Sequence, residues 1–355
     1  MSRKKSVFES NAFYTVLAIA AGFVIGAVFL QVAGISPVIA YGKLLNSVFS
    51  KPKYLVWTLI YASPLIFTGL SVAFSFRTGV FNIGAEGQYV VGALAACSIG
   101  ILLKLPVWIH IPLCILAAAA AGAVWSLLVG LLKVKRGIHE VLSFIMFNWI
   151  AFYLSNYVVN LKAIHSENGG EATRDIQETA RILFPESLRD LLGCSSANWG
   201  FILAVLAAVL IWIVIEKTTL GYKLKAVGFN SNAALYAGIN SEHSILTALG
   251  ISGALAGLGG AVQILGMSGR LSQFAGQEGF GFEGITVALI GASSPIGCIF
   301  SGIFYGAMKY GGSKLSIVKA PSEVVDIIMG CVILFIAISG IFRGLFRKLV
   351  KKGGK

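Results

Sequence analysis

The sequence predicts an all-α fold, a polytopic membrane bundle, and three observations carry that prediction. Hydrophobic residues make up 57% of the 355 and charged residues only 12%, about half of the roughly 25% usual in soluble domains. Apolar runs of about 20 residues, the length needed to cross roughly 30 Å of hydrocarbon, recur along nearly the whole chain. The basic residues sit at the ends of those runs, the placement expected of helical spans whose orientation is set by charge.

Taken in order, the apolar blocks cover 12 to 35, 54 to 76, 80 to 103, 107 to 132, 139 to 161, 199 to 216, 244 to 266, 282 to 310 and 323 to 342. The first follows Arg3-Lys4-Lys5 and imitates a signal peptide. Its length, its lack of a small-x-small cleavage site and the spans behind it mark it as a first transmembrane helix with its N-terminus inside. Residues 1 to 5, 133 to 136, 217 to 225 and 343 to 355 together hold 15 of the 28 Lys and Arg and not one Asp or Glu. By the positive-inside rule these four segments, and with them both termini, are cytoplasmic. The loop 162 to 197 carries six acidic residues against four basic ones and belongs outside. Termini on one side require an even number of crossings, whereas the blocks number nine. The longest, 282 to 310, is interrupted by Gly291-Ala292-Ser293-Ser294-Pro295, where Pro295 removes a backbone donor. Splitting it there gives about ten transmembrane segments, some short or broken, in a single permeation domain, 1 to 355. An external loop at 162 to 197 and a polar, basic cytoplasmic loop at 217 to 243 complete it.

The same placement of charge excludes nucleic acid as the partner of a chain with net charge +13, since the basic groups lie at membrane surfaces. Four of the five cysteines lie in apolar runs and none forms a CxxC pair, so they read as small packing residues. The run Gly279-Phe280-Gly281-Phe282-Glu283-Gly284 satisfies GxGxxG, but it does so at the mouth of a span and outside any βαβ unit. With no GxxxxGK[ST] and no HExxH in the sequence, neither ATP binding by a P-loop nor zinc hydrolase chemistry is expected of it. No cofactor is expected in this chain and no metal site.

Gly79-Val80-Phe81-Asn82-Ile83-Gly84-Ala85-Glu86-Gly87 has a weak echo in Gly279 to Gly284, each opening an apolar run. Paired glycine-interrupted segments in two halves point to a transport path. Charges within spans cost roughly 2.5 to 3.5 kcal/mol on insertion scales and therefore face cavities or partners. The path candidates are Phe81, Asn82, Glu86, Gln88, Tyr89, Asn148, Trp149, Phe282 and Glu283, a polar and aromatic set suited to a neutral hydroxylated ligand. Against that stands a bundle-locking role for Glu86, for example through Arg77, and a packing or interfacial role for the aromatics. Gly22 with Gly26, Gly253 with Gly257 and Gly302 with Gly306 sit four apart, the spacing of close helix packing.

The run Gly69 to Gln88, with Phe81-Asn82-Ile83-Gly84-Ala85-Glu86-Gly87-Gln88 at its end, resembles the signature of permease subunits from bacterial importers of branched-chain amino acids, ribose and nucleosides. Together with Ala226-Val227-Gly228, Ala233-Ala234 and Ala237-Gly238-Ile239-Asn240, it is most similar to the nucleoside branch. The resemblance implies a non-catalytic pore half in the bacterial cytoplasmic membrane, set among membrane lipids and working by alternating access. Its implied partners are an ATP-binding subunit that holds the ATP and Mg, a second and paralogous permease, and an extracytoplasmic substrate-binding lipoprotein. The segment from Gly221 to Asn240 would then be the coupling element, with Gly221, Lys225, Gly228, Asn230, Asn232, Ala233, Ala234 and Gly238 in contact with the ATPase. Asn232 stands where many relatives carry an acidic residue, so no salt bridge is expected there. Ribose or another sugar as cargo, and an ion-coupled secondary carrier, are the alternative readings.

Overall fold

The computed structural model describes residues 11–167, 170–318, 323–336 and 338. The basic ends 1 to 5 and 343 to 355, on which part of the predicted orientation rests, lie outside the described residues. The helices are α1 (Asn11–Val32), α2 (Pro37–Phe49), α3 (Pro52–Phe76), α4 (Ala85–Leu102), α5 (Val107–Arg136), α6 (Glu140–Val159), α7 (Glu186–Leu192) and α8 (Gly200–Lys217). They continue with α9 (Thr219–Phe229), α10 (Ser231–Tyr236), α11 (Ser241–Val262), α12 (Phe280–Ile290), α13 (Pro295–Gly312) and α14 (Val324–Ile336). A π-helical turn, Gln263–Ser268, extends α11. Among the described residues, seven helices, α1, α3, α4, α5, α6, α8 and the extended α11, are long and apolar enough to cross a membrane, while α12 and α14 are apolar but shorter. With α13 these make the ten segments read from the sequence.

The broken block divides where predicted. Helix α12 stops at Ile290 and α13 starts at Pro295, with Ala292 and Ser293 between them at φ 52° and 51°, a left-handed pair that no helix can contain. At about 16 Å, α12 is too short to cross the hydrocarbon layer alone. Two boundaries differ from expectation. Helix α4 begins at Ala85 instead of residue 80, because residues 77 to 83 are held in backbone turns and Asn82 accepts from Gly84 N–H just before the helix. Helix α2 is an element the sequence reading passed over, a 13-residue helix opened by Pro37 at its first turn.

The chain forms two compact units, one from residues up to Tyr54 together with those from Met308 onward, the other from Leu55 to Ala307. In the first, Gly22 and Gly26 of α1 lie against α14, where added methyl groups would run into Val332 and Ile328. The Tyr41 hydroxyl of α2 donates to the Phe23 carbonyl of α1 at 2.7 Å.

In the second unit α3 is the central helix, 83% of its span-length apolar stretch being buried, against 28% for that of α5 and of α8. The latter two turn most of their apolar surface outward, as lipid- or partner-facing helices do. Helix α11 threads between α4 and α5 at backbone contact. Methyl groups on Gly253 and Gly257 would overlap the carbonyls of Gly122 and Ala118, and Gly92 of α4 abuts Gly257 from the other side. Without a hydrophobic force between helices in lipid, such small-residue seams supply the dispersion contact that holds a bundle.

Helix α8 separates two differently built ends. At one end α5 closes on Gly137 at φ 66°, its last turn carrying Lys133, Lys135 and Arg136, and α9 and α10 follow α8. Cations in a last turn complement the helix dipole. At the other end the loop from 162 pairs with the segment after α11. Thr173 N–H donates to the Leu271 carbonyl and Ile176 N–H to Gly269, both at 2.8 Å.

Candidate functional site

The predicted repeat closes on itself in space. Helices α4 and α12 begin side by side, and the Glu86 carboxylate, in the first turn of α4, accepts from Gly279 N–H at 2.8 Å and Gly281 N–H at 2.6 Å at the start of α12. One anion therefore serves two helix N-termini, each a partial positive pole. A methyl on Gly281 would overlap the Glu86 backbone, so only glycine permits the approach. The internal partner that sequence reading sought in Arg77 is backbone instead. The Arg77 guanidinium donates through Nε to the Ser293 carbonyl, tying the α3–α4 turn to the α12–α13 turn at 3.2 Å.

Asn82 is the hub of the turn before α4. Its amide pairs reciprocally with that of Gln88, both bonds 2.9 Å. Its Nδ2 also donates to Ser252 Oγ of α11 at 2.7 Å, and its Oδ1 accepts from Gly84 N–H at 3.1 Å. Asn148 of α6 accepts from Gly87 N–H and donates to the Ile83 carbonyl. All of these side chains are buried, so they are occupied in fixing the broken segment between α3, α4, α6 and α11. Phe81 stacks on Phe76 at 5.2 Å. Phe282 and Glu283 are half-buried on the first turn of α12. Trp149 is 45% exposed and stacks on Tyr153, on the outward face of α6.

Tyr89 alone of the nine path candidates lines the cavity that opens beside this hub, a space of about 330 Å³. Its walls come from α4 (Tyr89, Ala93), the π-helical turn (Gln263, Ile264, Ser268) and the segment Arg270 to Glu278. Tyr89 is fully buried and stacked on Phe280 at 5.3 Å. Asn156 of α6 clamps Phe274 as a neighbouring strand would, giving Nδ2 to its carbonyl at 2.9 Å and accepting its N–H at 2.8 Å. Sequence reading missed Gln263, Arg270, Gln273, Phe274 and Glu278. The available signal was a polar, glycine-containing stretch between two spans, with one base and one acid in it.

The polar loop at the other end folds as three capped turns. Thr218 caps α9 through Gly221 N–H, Asn230 caps α10 through Ala233 N–H, and Asn240 caps α11 through His243 N–H. Ala234 packs inward on Val227 and Ile239, Lys225 pairs with Glu216 at 3.0 Å, and Asn232 and Ala233 face outward. Gly238 takes φ 78° in open surroundings. Gly228 sits backbone to backbone on the turn at Arg77 and Gly79, the turn that leads to Asn82 and Glu86. Phe229 and Tyr236, not singled out from sequence, are 91% and 95% exposed.

A broken-helix hub, a cavity beside it and an exposed loop joined to it by one turn are an arrangement that suits a permease. Residues 54–337 match the family described as branched-chain amino acid transport system / permease component. The chain belongs to this family. Among its relatives, the guanosine ABC transporter permease protein NupP of Bacillus subtilis is 40% identical over 346 residues, 97% of this chain and 98% of that one. The nucleoside ABC transporter permease protein NupB of Lactococcus lactis is 33% identical, over 94% of this chain and 92% of its own length. The glucose ABC transporter permease protein TsgB13 of Haloferax volcanii is 32% identical, over 92% and 87%. As a family permease with seven long apolar helices, this is a multi-pass membrane protein.

Proposed function

We propose that the chain is the membrane half-pore of an ATP-driven importer of nucleosides, itself without catalytic activity. The observation that carries the reading is its identity with the guanosine permease over nearly the full length of both chains. The nucleoside reading is favoured over the sugar one because both relatives of higher identity carry nucleoside names, and because the cavity has aromatic as well as polar walls. In this reading α9 and α10 lie in the cytoplasm against an ATP-binding subunit, which holds ATP and Mg. The loop 162 to 197 faces a binding lipoprotein outside, and a paralogous permease completes the pore. Motion imposed on α9 passes through Gly228 to the turn at Arg77, and thence to both broken segments. The cavity need hold its cargo only weakly, since the external protein supplies affinity.

The test is purification of the tagged chain from its own cell in mild detergent, with co-purifying proteins identified by mass spectrometry and nucleoside uptake measured in vesicles. Recovery of an ATP-binding subunit, a related permease and a lipoprotein, with uptake that needs ATP and survives an uncoupler, is expected. A chain recovered alone and active on an ion gradient without ATP would overturn the importer reading.

A further inference from the structure

We infer that the end of the larger unit that carries the 162 to 197 loop holds a site for an anionic phospholipid, the phosphate taken by Arg181 and Arg189 and an acyl chain by an apolar cavity next to them. Two cavities separate from the one beside Tyr89 carry this. The first, about 310 Å³, is lined by Arg181, Arg189, Ser195 and Ser196, with the exposed Glu178 also in its wall. The second, about 220 Å³, lies between α3 (Val56, Leu59, Ile60) and the start of α8 (Phe201, Ile202) and is almost wholly apolar. They share a wall. Leu183 pairs with Asn198 as neighbouring strands do, and Phe184 N–H donates to the Ala197 carbonyl at 3.0 Å. Successive side chains of an extended segment point to opposite faces, so Leu183 lines the polar cavity and Phe184 the apolar one. Met267 of the polar cavity packs in one cluster with Ile60, Phe184 and Leu192 of the apolar one.

The two arginines lack an anion. Both Nε–H groups are buried without a hydrogen-bond partner, and among the described residues neither guanidinium forms an ion pair. Arg189 keeps its place by donating through Nη1 to the Ser195 carbonyl at 3.2 Å, and Arg181 lies over Gly269, where an added methyl would strike the guanidinium. A buried donor left unpaired is costly, and the fork of a guanidinium matches the oxygens of a phosphate. Two guanidinium groups against the one carboxylate of Glu178 leave the cavity net positive. The depth of the second cavity decides which anion. Gly200, the first residue of α8, comes level with Ser63, well inside α3, so the apolar cavity reaches the edge of the hydrocarbon layer. Trp199, 45% exposed and edge-on to Phe184 at 4.9 Å, marks the headgroup level beside it. Ile202 is exposed on α8, whose apolar surface turns outward, so a chain from the bilayer can reach the cavity. A free anion, or an acidic side chain of a partner protein, would use the arginines and leave the apolar cavity empty. A phospholipid uses both.

The experiment uses the full chain purified in mild detergent and depleted of lipid, its thermal unfolding followed while one of three probes is titrated in. These are dioleoyl phosphatidylglycerol, dioleoylglycerol, which has the chains without the phosphate, and glycerol phosphate, which has the phosphate without the chains. The variants are Arg181→Gln combined with Arg189→Gln, and Ile202→Trp, which narrows the apolar cavity. Each is compared with its own lipid-free unfolding temperature, so a change in basal stability is not counted. Phosphatidylglycerol alone is expected to raise the wild-type unfolding temperature. The concentration giving half that rise is expected to increase about tenfold in the double variant, as for the loss of one charge-assisted hydrogen bond, and to increase in Ile202→Trp as well. Equal stabilisation by glycerol phosphate would make the site one for a free anion, and equal stabilisation by dioleoylglycerol would make it an apolar surface alone. An unchanged half-point in the double variant would leave the arginines to a protein carboxylate. Each of these results overturns the inference, and should the double variant not fold, an unchanged half-point in Ile202→Trp overturns it by itself.

Discussion

Glu86 lies where two helices start, buried, with the N–H groups of Gly279 and Gly281 as its partners. Replacing it by Ala strips both donors of their acceptor in a dry site. Since a hydrogen bond to a charged group contributes about 1.5 to 3 kcal/mol, the variant should lose about 3 kcal/mol and unfold several degrees lower in detergent. Glu86→Gln keeps one acceptor oxygen and should lose less than half as much. Thermal unfolding followed by size-exclusion chromatography checks the order, and an Ala variant as stable as wild type would deny Glu86 its bridging role. Sequence reading singled out Glu86, Asn82, Gln88 and Asn148 because polar groups in apolar runs need partners. It could not say that the partners are backbone and each other, since those lie up to 195 positions away.

At the scale of the element, the α9–α10 loop was visible as a polar interruption between spans. It folds as two short helices, with Thr218, Asn230 and Asn240 capping α9, α10 and α11. The outward aromatics were not visible, because Phe229 and Tyr236 share their helices with inward residues such as Val227 and Ala234, and only the packed loop separates the two faces. A Phe229→Ser, Tyr236→Ser double variant removes the apolar part of the docking surface without touching a cap or a buried contact. It is expected to insert and fold at wild-type level while losing most of its co-purifying ATP-binding subunit, by at least tenfold on a quantitative pull-down. Undiminished recovery would place the docking surface elsewhere. Helix α2 escaped notice for a different reason. At 13 residues it is shorter than a span, and its apolar positions serve packing on one face, with Leu44 and Val48 buried, while Val38 and Phe49 remain exposed.

Across the whole molecule, the bundle of the larger unit closes on glycine. A methyl on Gly257 would meet the backbone of α5 at Ala118 and Gly122, so that neighbour cannot yield by a rotamer change. Gly257→Ala should therefore force α5 and α11 apart and lower thermal stability. Gly250→Ala on the same helix meets only Leu127 at 3.5 Å; it should be neutral or gain about 0.5 to 1 kcal/mol from the helix preference of alanine. Equal effects of the two changes would refute the seam. The sequence by itself determined the all-α membrane class, the span positions, the break before Pro295 and the polar loop between α8 and α11, because lipid imposes length, apolarity and flanking charge on each segment locally. Only the tertiary structure decided that α3 is central while α5 and α8 face outward, that the two repeat segments meet through Glu86, and that the cavity is walled by a stretch read from sequence as a mere connection. Those outcomes depend on which backbones approach which, a property of pairs of segments remote along the chain, to which hydropathy and charge within any one segment are blind.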